Sequence, residues 1–442
     1  MARGKKKEEN LTLEEKLNQA LVPEEEWPYE VPGNWCWTFL TRGFAECKDS
    51  FRKPINASER TNREGDIPYY GATGQVGWID DFLTDEELVL LGEDGAPFLQ
   101  INKDKAYIIS GKAWVNNHAH ILSSYTGSIG NKYLMNYLNI FNYNGYVNGT
   151  TRLKLTQSSM ARIPIPVCPQ KEQERIVNHL EQMFTKLDEA KEKVQYVLES
   201  SENRKSAILR KAFSGELTEQ WRKEQGIEGE SWKTQKLSSL GKLERGKSKH
   251  RPRNDPSLFG DKYPFIQTGD IAEAPIYIKE HKQSLSELGL KQSRLFPAGT
   301  LCITIAANIG NVAILSYDCC FPDSVVGFTP NDETDSKFIY YIMCTMQKKL
   351  EAEAPATAQK NINLKVLNDI TLNTPSLSEQ HEIVKILDDL LEKENRIEII
   401  CENIFTQIDL LKKSILSRAF RGELGTNNPD EESAIELLKT IL

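Results

Sequence analysis

The residues Gly241–Ser248 have the spacing of a phosphate-binding loop, in which two glycines precede a lysine and a serine. Such a loop binds phosphate when it follows a buried strand and opens a helix, whose first amides then face the anion. The preceding residues, 232–240, are polar, and the following stretch contains Pro252 and Pro256. Neither flank has the required character, so a nucleotide-dependent enzyme that uses Gly241–Ser248 is kept only as an alternative hypothesis.

The same stretch is a concentration of positive charge. Six basic side chains lie within twelve residues, opposed only by Glu244, in a chain whose net charge is −8. Local cation clusters of this kind favour contacts to DNA phosphates, whereas the alternative is an ordinary solvated charge run. A weaker cluster lies nearer the N-terminus. We therefore expect DNA-backbone contacts from Lys242, Arg245, Lys247, Lys249, Arg251 and Arg253, and from Lys48, Arg52, Lys53, Arg60 and Arg63.

Two histidines have the spacing of a metal site but lack its other ligands. His118 and His120 are two positions apart, which places both side chains on one face of a strand. Structural zinc needs four ligands, and no others are evident nearby. We predict packing or polar roles for them and no metal site. The sequence also shows no dinucleotide fingerprint, no methyltransferase signature and no paired-carboxylate nuclease pattern, so we predict no catalytic residues and no cofactor bound by this chain.

An internal repeat organises the whole chain. Glu172-Gln173 and Gly215-Glu216-Leu217 recur as Glu379-Gln380 and Gly422-Glu423-Leu424, with the same offset of 207 residues and no gap between. Ala212-Phe213 and Ala419-Phe420 follow the same rule. Agreement at both ends of a segment of this length predicts a duplicated structural unit.

Each copy of the repeat has the apolar spacing of a long helix. The apolar residues alternate in steps of four and three, which is the pattern of a helix that packs along a partner helix. Glu394 alone interrupts the stripe. The alternative is two separate amphipathic helices, each packed on its own domain. The predicted seam consists of Ile176, Leu180, Met183, Leu187, Val194 and Val197 in the first helix, and Ile383, Leu387, Leu390, Ile397 and Ile404 in the second.

A domain-sized region of short strand-like runs precedes each helix. Leu88–Leu91, Ala106–Ile109 and Leu301–Ile305 are examples, with glycine and polar turns between such runs. The chain of 442 residues therefore predicts mixed domain, helix, mixed domain, helix, with helices that match well and domains that match poorly. The eight cysteines show no framework spacing and the first residues no apolar stretch, so we expect reduced thiols and a cytoplasmic location without a membrane span.

This architecture resembles the specificity subunits of Type I restriction–modification systems. The resemblance rests on the order and duplication of several segments over about residues 27–424. Most specific are the Pro-containing Glu-Gln-x-x-Ile-Val start and the Ala-Phe-x-Gly-Glu-Leu end of each helix, although Pro169 is one residue closer to its Glu than Pro375 is. Supporting segments are Val31–Trp35, Ile67–Gly74, Leu91–Ala96, Trp114–His120, Pro264–Asp270 and Ala306–Asn311.

The resemblance implies an α+β fold with two mixed α/β target-recognition domains, separated by two long helices that form an antiparallel coiled coil with pseudo-twofold internal symmetry. The expected organisation is an N-terminal extension (1–26), recognition domain 1 (27–166), helical spacer 1 (167–230), recognition domain 2 (231–375), helical spacer 2 (376–424) and a C-terminal tail helix (425–442). It further implies that the chain reads a bipartite site on double-stranded DNA, and it adds the expectation of a prokaryotic cell.

The partners implied by the resemblance carry the chemistry. Two DNA-adenine methyltransferase subunits would use S-adenosylmethionine, and two motor–nuclease subunits could add cleavage that depends on ATP and Mg²⁺. A related system that cuts without a translocating motor is an open alternative, because the motor lies on another chain. A plain coiled-coil scaffold without DNA preference is the remaining one.

Hydrogen-bonding side chains on loops are the physical candidates for base reading. For each of them a structural role is the competing interpretation. The candidates are Tyr70, Thr73, Gln75, Glu93 and Asp94 in the first domain, and Gln267, Thr268, Asp270, Asn308 and Asn311 in the second.

Overall fold

The structure, a computed structural model, describes residues 11–100, 102–227, 231–249, 252, 254–306, 309–353 and 362–442. The chain forms two compact units. The first contains the described residues up to Val194 together with Glu402–Leu442, and the second contains Gln195–Cys401. Each unit therefore contains one mixed domain and a part of each long helix.

In the described part of the first unit's mixed domain, twelve strands and three α-helices follow a helix α1 at Leu13–Ala20. The strands are β1 Cys36–Phe39, β2 Ala45–Cys47, β3 Ile67–Gly71, β4 Gly74–Ile79, β5 Thr84–Asp85, β6 Leu88–Gly92, β7 Ala106–Ile109, β8 Lys112–Val115, β9 Ala119–Ser124, β10 Val147–Asn148, β11 Lys154–Leu155 and β12 Pro164–Val167. The helices are α2 Ala57–Thr61, α3 Gly127–Ile140 and α4 Gln157–Met160.

Two four-stranded sheets form the body of this domain, in the orders β2-β9-β6-β7 and β4-β3-β8-β5. Strand β6 is buried along its whole length, which explains its continuous apolar run. Helix α3 covers this sheet with Tyr133, Leu134 and Leu138, all fully buried. The first and last strands, β1 and β12, pair antiparallel, with Cys36 opposite Val167, and close the domain.

Helices α5 Gln170–Glu199, α6 Ser201–Phe213 and α7 Glu219–Glu224 follow, and then the second mixed domain. Its strands are β13 Lys233–Lys236, β14 Gly241–Arg245, β15 Phe259–Phe265, β16 Tyr277–Ile278, β17 Gln283–Leu285, β18 Leu295–Phe296, β19 Leu301–Thr304, β20 Val312–Leu315, β21 Cys319–Cys320, β22 Val325–Pro330 and β23 Thr371–Thr374. Its helices are α8 Leu237–Leu240, α9 Thr268–Glu273, α10 Glu287–Gln292, α11 Ser336–Glu353 and α12 Leu364–Asp369, and the chain ends with α13 Leu377–Ala419 and α14 Ala434–Ile441.

The second domain repeats the plan of the first with a different sheet. Five strands in the order β14-β22-β19-β20-β16 and four in the order β17-β15-β21-β18 form its body. The first and last strands, β13 and β23, again pair antiparallel, with Lys233 opposite Thr374. The shared closure and the different sheets agree with the unequal match of helices and domains in the sequence.

The two predicted long helices are present, and within each unit they run antiparallel. In the first unit Lys191 faces Asp409 at 3.7 Å and Asp188 binds Lys412 at 2.5 Å, so numbers rise on one helix as they fall on the other. In the second unit Ser201 Oγ donates to Glu398 at 2.6 Å and Arg204 binds Glu394 at 2.9 Å, which is the same opposite order. The first helix is interrupted at Ser200, whereas α13 continues for 43 residues.

The predicted seam is buried most deeply where the helices begin. Ile176 and Leu180, and their counterparts Ile383 and Leu387, have almost no exposed surface. The seam residues Met183, Leu187, Val194, Leu390, Ile397 and Ile404 are half-buried. Val197 differs from this pattern, because 38% of it is exposed.

The interruption of the stripe has a structural reason. Glu394 is only 8% exposed, and its carboxylate accepts hydrogen bonds from Arg204 Nε at 2.9 and 3.0 Å. A buried polar pair within an apolar helix interface favours one register of the two helices. Among the described residues, no helix has the length and apolar character that a bilayer crossing requires.

Candidate nucleic-acid interface

Each long helix is attached to the mixed domain before it through a buried glutamate. Trp35 Nε1 donates to Glu172 Oε2 at 2.8 Å, and Trp232 Nε1 donates to Glu379 Oε1 at 3.1 Å. Both carboxylates are fully buried. A buried carboxylate needs such donors, because an unpaired one would carry a large desolvation penalty. The repeated glutamate is thus a duplicated anchor for two domains.

The glutamine that follows each glutamate makes a second duplicated contact. Gln173 Nε2 donates to the Cys168 carbonyl at 3.1 Å, and Gln380 Nε2 donates to the Pro375 carbonyl at 3.0 Å. Their amide oxygens accept from Thr126 Oγ1, next to the start of α3, and from the Asp335 amide, next to the start of α11. In both units the glutamine therefore joins the start of the spacer helix to the start of the domain's main helix.

The conserved spacing at the ends of the helices has a backbone cause. Gly215 and Gly422 have φ angles of +81° and +72°, in the left-handed region that glycine adopts without steric cost. Gly215 lies against Trp232, and Gly422 lies against Trp35. The end of α6 thus packs on the second domain, and the end of α13 packs on the first. Each domain is held by one helix start and one helix end.

In the first domain, most of the predicted phosphate-binding residues have intramolecular partners. Lys48 binds Glu86 at 2.8 Å, Arg63 binds Asp80 at 2.6 Å, and Arg52 binds both Asp49 and Glu93. Lys53 and Arg60 lie over the rings of Trp114 and Tyr69, at 6.0 and 5.0 Å. Each of these basic side chains therefore has an acidic or an aromatic partner within the chain. Phosphate contact stays a prediction for these five residues.

The two acidic base-reading candidates of this domain lie behind basic side chains. Glu93 is 8% exposed and binds Lys154 at 2.9 Å as well as Arg52. Burial raises the pKa of Glu93, but the hydrogen bonds from Lys154 and Arg52 outweigh it and hold this pKa below its usual value. Asp94 accepts from Arg152 at 2.8 Å. The solvent-facing groups at this edge are therefore the cations.

The histidine pair lies in the same network. Asp49, Glu93 and His120 place ligand atoms within 4.8 Å of one another, which is compact enough for a metal ion. His120 Nδ1 is 2.7 Å from Asp49 Oδ2, however, and Nε2 is 2.9 Å from the Leu155 carbonyl. Both ring nitrogens thus already lie at hydrogen-bond distance from an oxygen of the chain. The cluster functions as an ionic support under β9.

The cause of the altered Asp49 pKa agrees with that role. Burial raises the pKa of Asp49, but the hydrogen bond and charge of His120, with the Ile121 amide and Arg52, outweigh burial and hold it below its usual value. His118 lies nearer the surface, with Nδ1 2.7 Å from Asp94 Oδ1. The predicted polar role of both histidines is thus visible in the structure.

The remaining candidates of the first domain belong to the β3–β4 hairpin. Thr73 is exposed at its tip, and exposed Gln75 donates to the Gly77 carbonyl at 3.1 Å. Tyr70 is half-buried, and its ring lies 6.0 Å from Tyr107. Thr73 and Gln75 therefore have the exposure that base reading requires. Tyr70 instead packs partly against Tyr107.

In the second domain, the phosphate-loop match is part of a sheet. Gly241–Arg245 is strand β14, which pairs antiparallel with β22 at one edge of the five-stranded sheet. The described residues 246–249, 252 and 254–255 form no helix. The stretch thus lacks the helix N-terminus that would bind phosphate in a nucleotide-binding loop.

The cations of this stretch differ in their surroundings. Lys242 faces Glu244 at 3.1 Å, and Arg245 donates to the Asp323 carbonyl. Lys247 and Lys249 line a pocket together with Gln267 and Gln292. Arg251 and Arg253 lie outside the described residues. Among the described cations of this stretch, Lys247 and Lys249 therefore have the surroundings best suited to contact with a DNA phosphate.

The base-reading candidates of the second domain are mostly held by neighbours. Asp270 Oδ2 accepts from the Gln267 amide at 2.8 Å, which caps α9, where Thr268 is the first residue. Gln267 is exposed and donates to Gln283 at 2.8 Å, and Asn311 accepts from Gln347 at 2.8 Å. Asn308 lies outside the described residues. Gln267 is the candidate that combines exposure with a position in the lysine-lined pocket.

Sequence analysis missed several groups at these surfaces. Arg152 and Lys154 are exposed beside Asp94 and Glu93, Arg294 binds Glu244 at 2.5 Å, and Trp78 is 57% exposed on β4. The basic residues occur as small groups of two, such as Arg152 and Lys154, which do not form a charge cluster like that at 242–253. One sequence signal could have indicated Arg152. It lies in the segment Gly149–Leu155, which resembles Ala358–Leu364 at the matching place in the second domain.

Comparison with known proteins agrees with this arrangement. The model of the Type I restriction modification DNA specificity domain matches residues 43–199 and 229–400. A Haemophilus influenzae protein described as a type I restriction enzyme specificity subunit is 29% identical over 354 residues, which are 78% of this chain and 84% of that protein. The Escherichia coli EcoDI specificity subunit is 24% identical over 409 residues, or 86% and 89% of the two chains.

Solved structures share the fold. The crystal structure of the HsdS subunit from Thermoanaerobacter tengcongensis superimposes with a TM-score of 0.60 at 16% identity, covering 90% of this chain and 100% of that one. The chain belongs to the family of Type I restriction–modification DNA specificity domains, since the matched ranges include more than half of its length. It is therefore a DNA target-recognition subunit of a Type I restriction–modification system.

Proposed function

We propose that the chain reads a bipartite DNA target with one mixed domain per half-site, and that it catalyses no reaction itself. The observation that carries this proposal is the duplicated attachment: two unlike domains are held by the same Trp–Glu, Gln–carbonyl and glycine contacts. Identical supports with different surfaces suit a protein that presents two different readers. A single substrate pocket would not require such a duplication.

Base reading and backbone binding would be divided between different side chains. Phosphate contacts position a protein on DNA and make its affinity depend on salt, whereas contacts to base edges give the sequence preference. Lys247 and Lys249 beside Gln267 offer both kinds of group in the second domain. In the first domain, exposed Thr73 and Gln75 lie on the β3–β4 hairpin. Each domain thus has its own candidate reader.

Methylation and cleavage would belong to partner chains. We propose that two DNA-adenine methyltransferase subunits bind S-adenosylmethionine, and that motor–nuclease subunits, where the system has them, use ATP and Mg²⁺. The long helices supply a docking surface, because large apolar side chains are exposed on them. Tyr196 is 74%, Ile399 58% and Ile400 55% exposed in the second unit, and Leu410 58% and Leu411 50% in the first. Exposed apolar groups of this size are typical of protein–protein contacts.

Reconstitution tests the proposal. The purified chain should transfer no methyl groups, whereas its complex with the cognate methyltransferase subunit should methylate DNA at a defined bipartite sequence. Methyl transfer by the chain alone would contradict the non-catalytic role. Methylation without sequence preference by the complex would contradict target reading.

Surface variants test the docking face separately. Ile399→Glu with Ile400→Glu should prevent assembly with the methyltransferase subunit, measured by size-exclusion chromatography with light scattering. Glu392→Gln with Arg396→Gln, on the same helix, removes an exposed ion pair of 2.5 Å and should leave assembly unchanged. Normal assembly of the Ile399/Ile400 variant would place the partner elsewhere.

A further inference from the structure

We infer that Arg152, held in place by Asp94, reads a guanine in the DNA half-site of the first mixed domain. This inference rests on the proposed function and assigns a specificity-determining residue to it. Arg152 lines a groove together with Thr73, Gln100 and Lys103. The groove lies at the edge of the domain where the exposed hairpin tip and the exposed cations meet.

The backbone that directly follows Arg152 is fixed by two hydrogen bonds to the Glu93–Gly95 segment. The Gly95 amide donates to the Leu153 carbonyl at 3.1 Å, and the Leu155 amide donates to the Glu93 carbonyl at 2.7 Å. Between these bonds, Asp94 and Lys154 form an antiparallel bridge. The two segments therefore hold Arg152 next to Asp94 without reliance on a flexible loop. Base reading needs such rigid support, since a displacement of one ångström loses the hydrogen bonds.

Gly95 leaves the space that the guanidinium occupies. Its φ angle is +70°, and a Cβ added there would lie 3.1 Å from Arg152 Nε. Any side chain at this position would both strain the backbone and push the guanidinium away. The glycine thus allows Arg152 to lie directly on the Asp94–Gly95 peptide.

The ion pair is arranged with the carboxylate inside and the cation outside. Asp94 Oδ1 accepts from Arg152 NH2 at 2.8 Å, with 19% of the Asp94 side chain exposed against 60% for Arg152. His118 Nδ1 lies 2.7 Å from the same oxygen. One amino group of the guanidinium is therefore bound, and its fork geometry offers further donors to an external acceptor.

This arrangement suits a base edge better than a phosphate. The charge of Asp94 offsets that of Arg152, so the pair attracts a phosphate less than a lone cation would. The ion pair instead orients the guanidinium. A guanidinium held on one side presents two parallel N–H groups that match O6 and N7 of guanine in the major groove. Stability gives little reason for the pair, because exposed ion pairs contribute little. Lys103, in the same groove, is the residue suited to the phosphate.

The test uses the chain assembled with its methyltransferase subunit and a DNA library in which every target position is varied. Arg152→Ala should relax one position that the native complex reads as guanine, by roughly 5- to 150-fold in relative affinity, with the other positions unchanged. Arg152→Lys keeps the charge but loses the fork, so it should relax the same position. Asp94→Asn should relax it less, because the amide still accepts a hydrogen bond.

Lys103→Gln is the matched control, since it removes a cation from the same groove. It should weaken binding to all sequences alike and lower the salt dependence by about one unit of slope. Uniform weakening by Arg152→Ala, or an unchanged preference, would overturn the inference. Where Arg152→Ala fails to fold, Arg152→Lys decides, because a phosphate contact would tolerate lysine and guanine reading would not. A native complex without any preference would instead refute the proposed function.

Discussion

The anchors Glu172 and Glu379 have the same tryptophan partner but different remaining partners. Glu379 also accepts from Thr218, Ser231 and the charged Arg222. Glu172 accepts from Asn427 at 2.9 Å and Thr426 at 3.4 Å, both near the C-terminus. Its neighbour Arg175 binds Glu431 instead. The second anchor is thus a buried ion pair, and the first is a carboxylate held mainly by neutral donors.

This comparison separates the contacts that attach both mixed domains to the long helices from those that occur at one anchor alone. The tryptophan, the glutamate, the glutamine and the glycine recur, and their contacts recur with them. The segments after the two helices differ in sequence, but each donates hydrogen bonds to one of the glutamates. Segment 216–227 donates to Glu379, and segment 424–431 donates to Glu172. Each anchor therefore depends on the segment that follows the other helix copy.

The largest expected effect follows from the ion pair. Glu379→Ala leaves Arg222 and the Trp232 N–H without their carboxylate, and removal of one partner of a buried pair costs about 3–5 kcal/mol. Glu172→Ala removes hydrogen bonds from neutral donors and should cost about 1–3 kcal/mol. Urea unfolding, followed by the fluorescence of each domain's tryptophans, measures both.

The exposed Glu392 on the same helix as Glu379 provides the control. Its pair with Arg396 spans one helical turn, so Glu392→Ala should cost at most about 0.5 kcal/mol. Equal destabilisation by Glu379→Ala and Glu172→Ala would remove the distinction between the two anchors.

A smaller difference is expected at the two glycines that end the helices. Alanine in the left-handed region costs about 1–2 kcal/mol at either position. At Gly422, a Cβ would lie 2.4 Å from the Pro32 ring, whereas at Gly215 the nearest atom, in the Arg222 guanidinium, is 3.3 Å away. Gly422→Ala should therefore destabilise more than Gly215→Ala in thermal unfolding. The reverse order would show that space around the helix end does not matter.

The mildest effect is the pH dependence of the first domain. The pKa values of Asp49 and Glu93 lie below their usual values, so both carboxylates stabilise the domain above the unfolded pKa values of about 3.9 and 4.3. This contribution is lost as the pH falls through the lower, folded values. Four described carboxylates of the second unit also have lowered pKa values: Glu219, Glu287 and Asp369 are exposed, and Glu398 is half-buried on α13.

Exposed groups contribute less because solvent screens them. Hydrogen exchange in acid should therefore show that β6 and β9 lose protection before β19 and β22. Asp49→Asn should reduce this sensitivity in the first domain. Equal sensitivity of the two domains in the native chain would contradict the supporting role of the ionic cluster.

Much of the scaffold could be predicted from the sequence, because helix periodicity and the repeat are local signals. The start of each helix, the glycine ends and the interrupted stripe at Glu394 all follow from residue types and their spacing. The partners of these residues could not be predicted. Glu172 meets Asn427 across 255 residues of sequence, and Arg204 meets Glu394 across 190. Such pairs depend on tertiary packing, which residue spacing does not record.

The surfaces were harder to predict for the same reason. Glu93 and Asp94 resemble exposed loop acceptors in the sequence, yet the structure places them behind Lys154 and Arg152. Along the chain Arg152 has only Lys154 as a close basic neighbour, which is too little charge to indicate a binding site. Only the fold shows which member of an acid–base pair faces solvent.

Independent DNA reading by two domains on duplicated supports can be tested by exchanging one domain at a time. Residues 40–163 are replaced by the corresponding segment of another specificity subunit, so that Trp35 and the β1–β12 pair are kept. Methylated sites are then mapped across a genome for the assembled complex. The account predicts that one half of the bipartite target changes while the other half is retained, and that the exchange of residues 237–370 has the opposite result. A change in both halves after either single exchange would contradict independent reading.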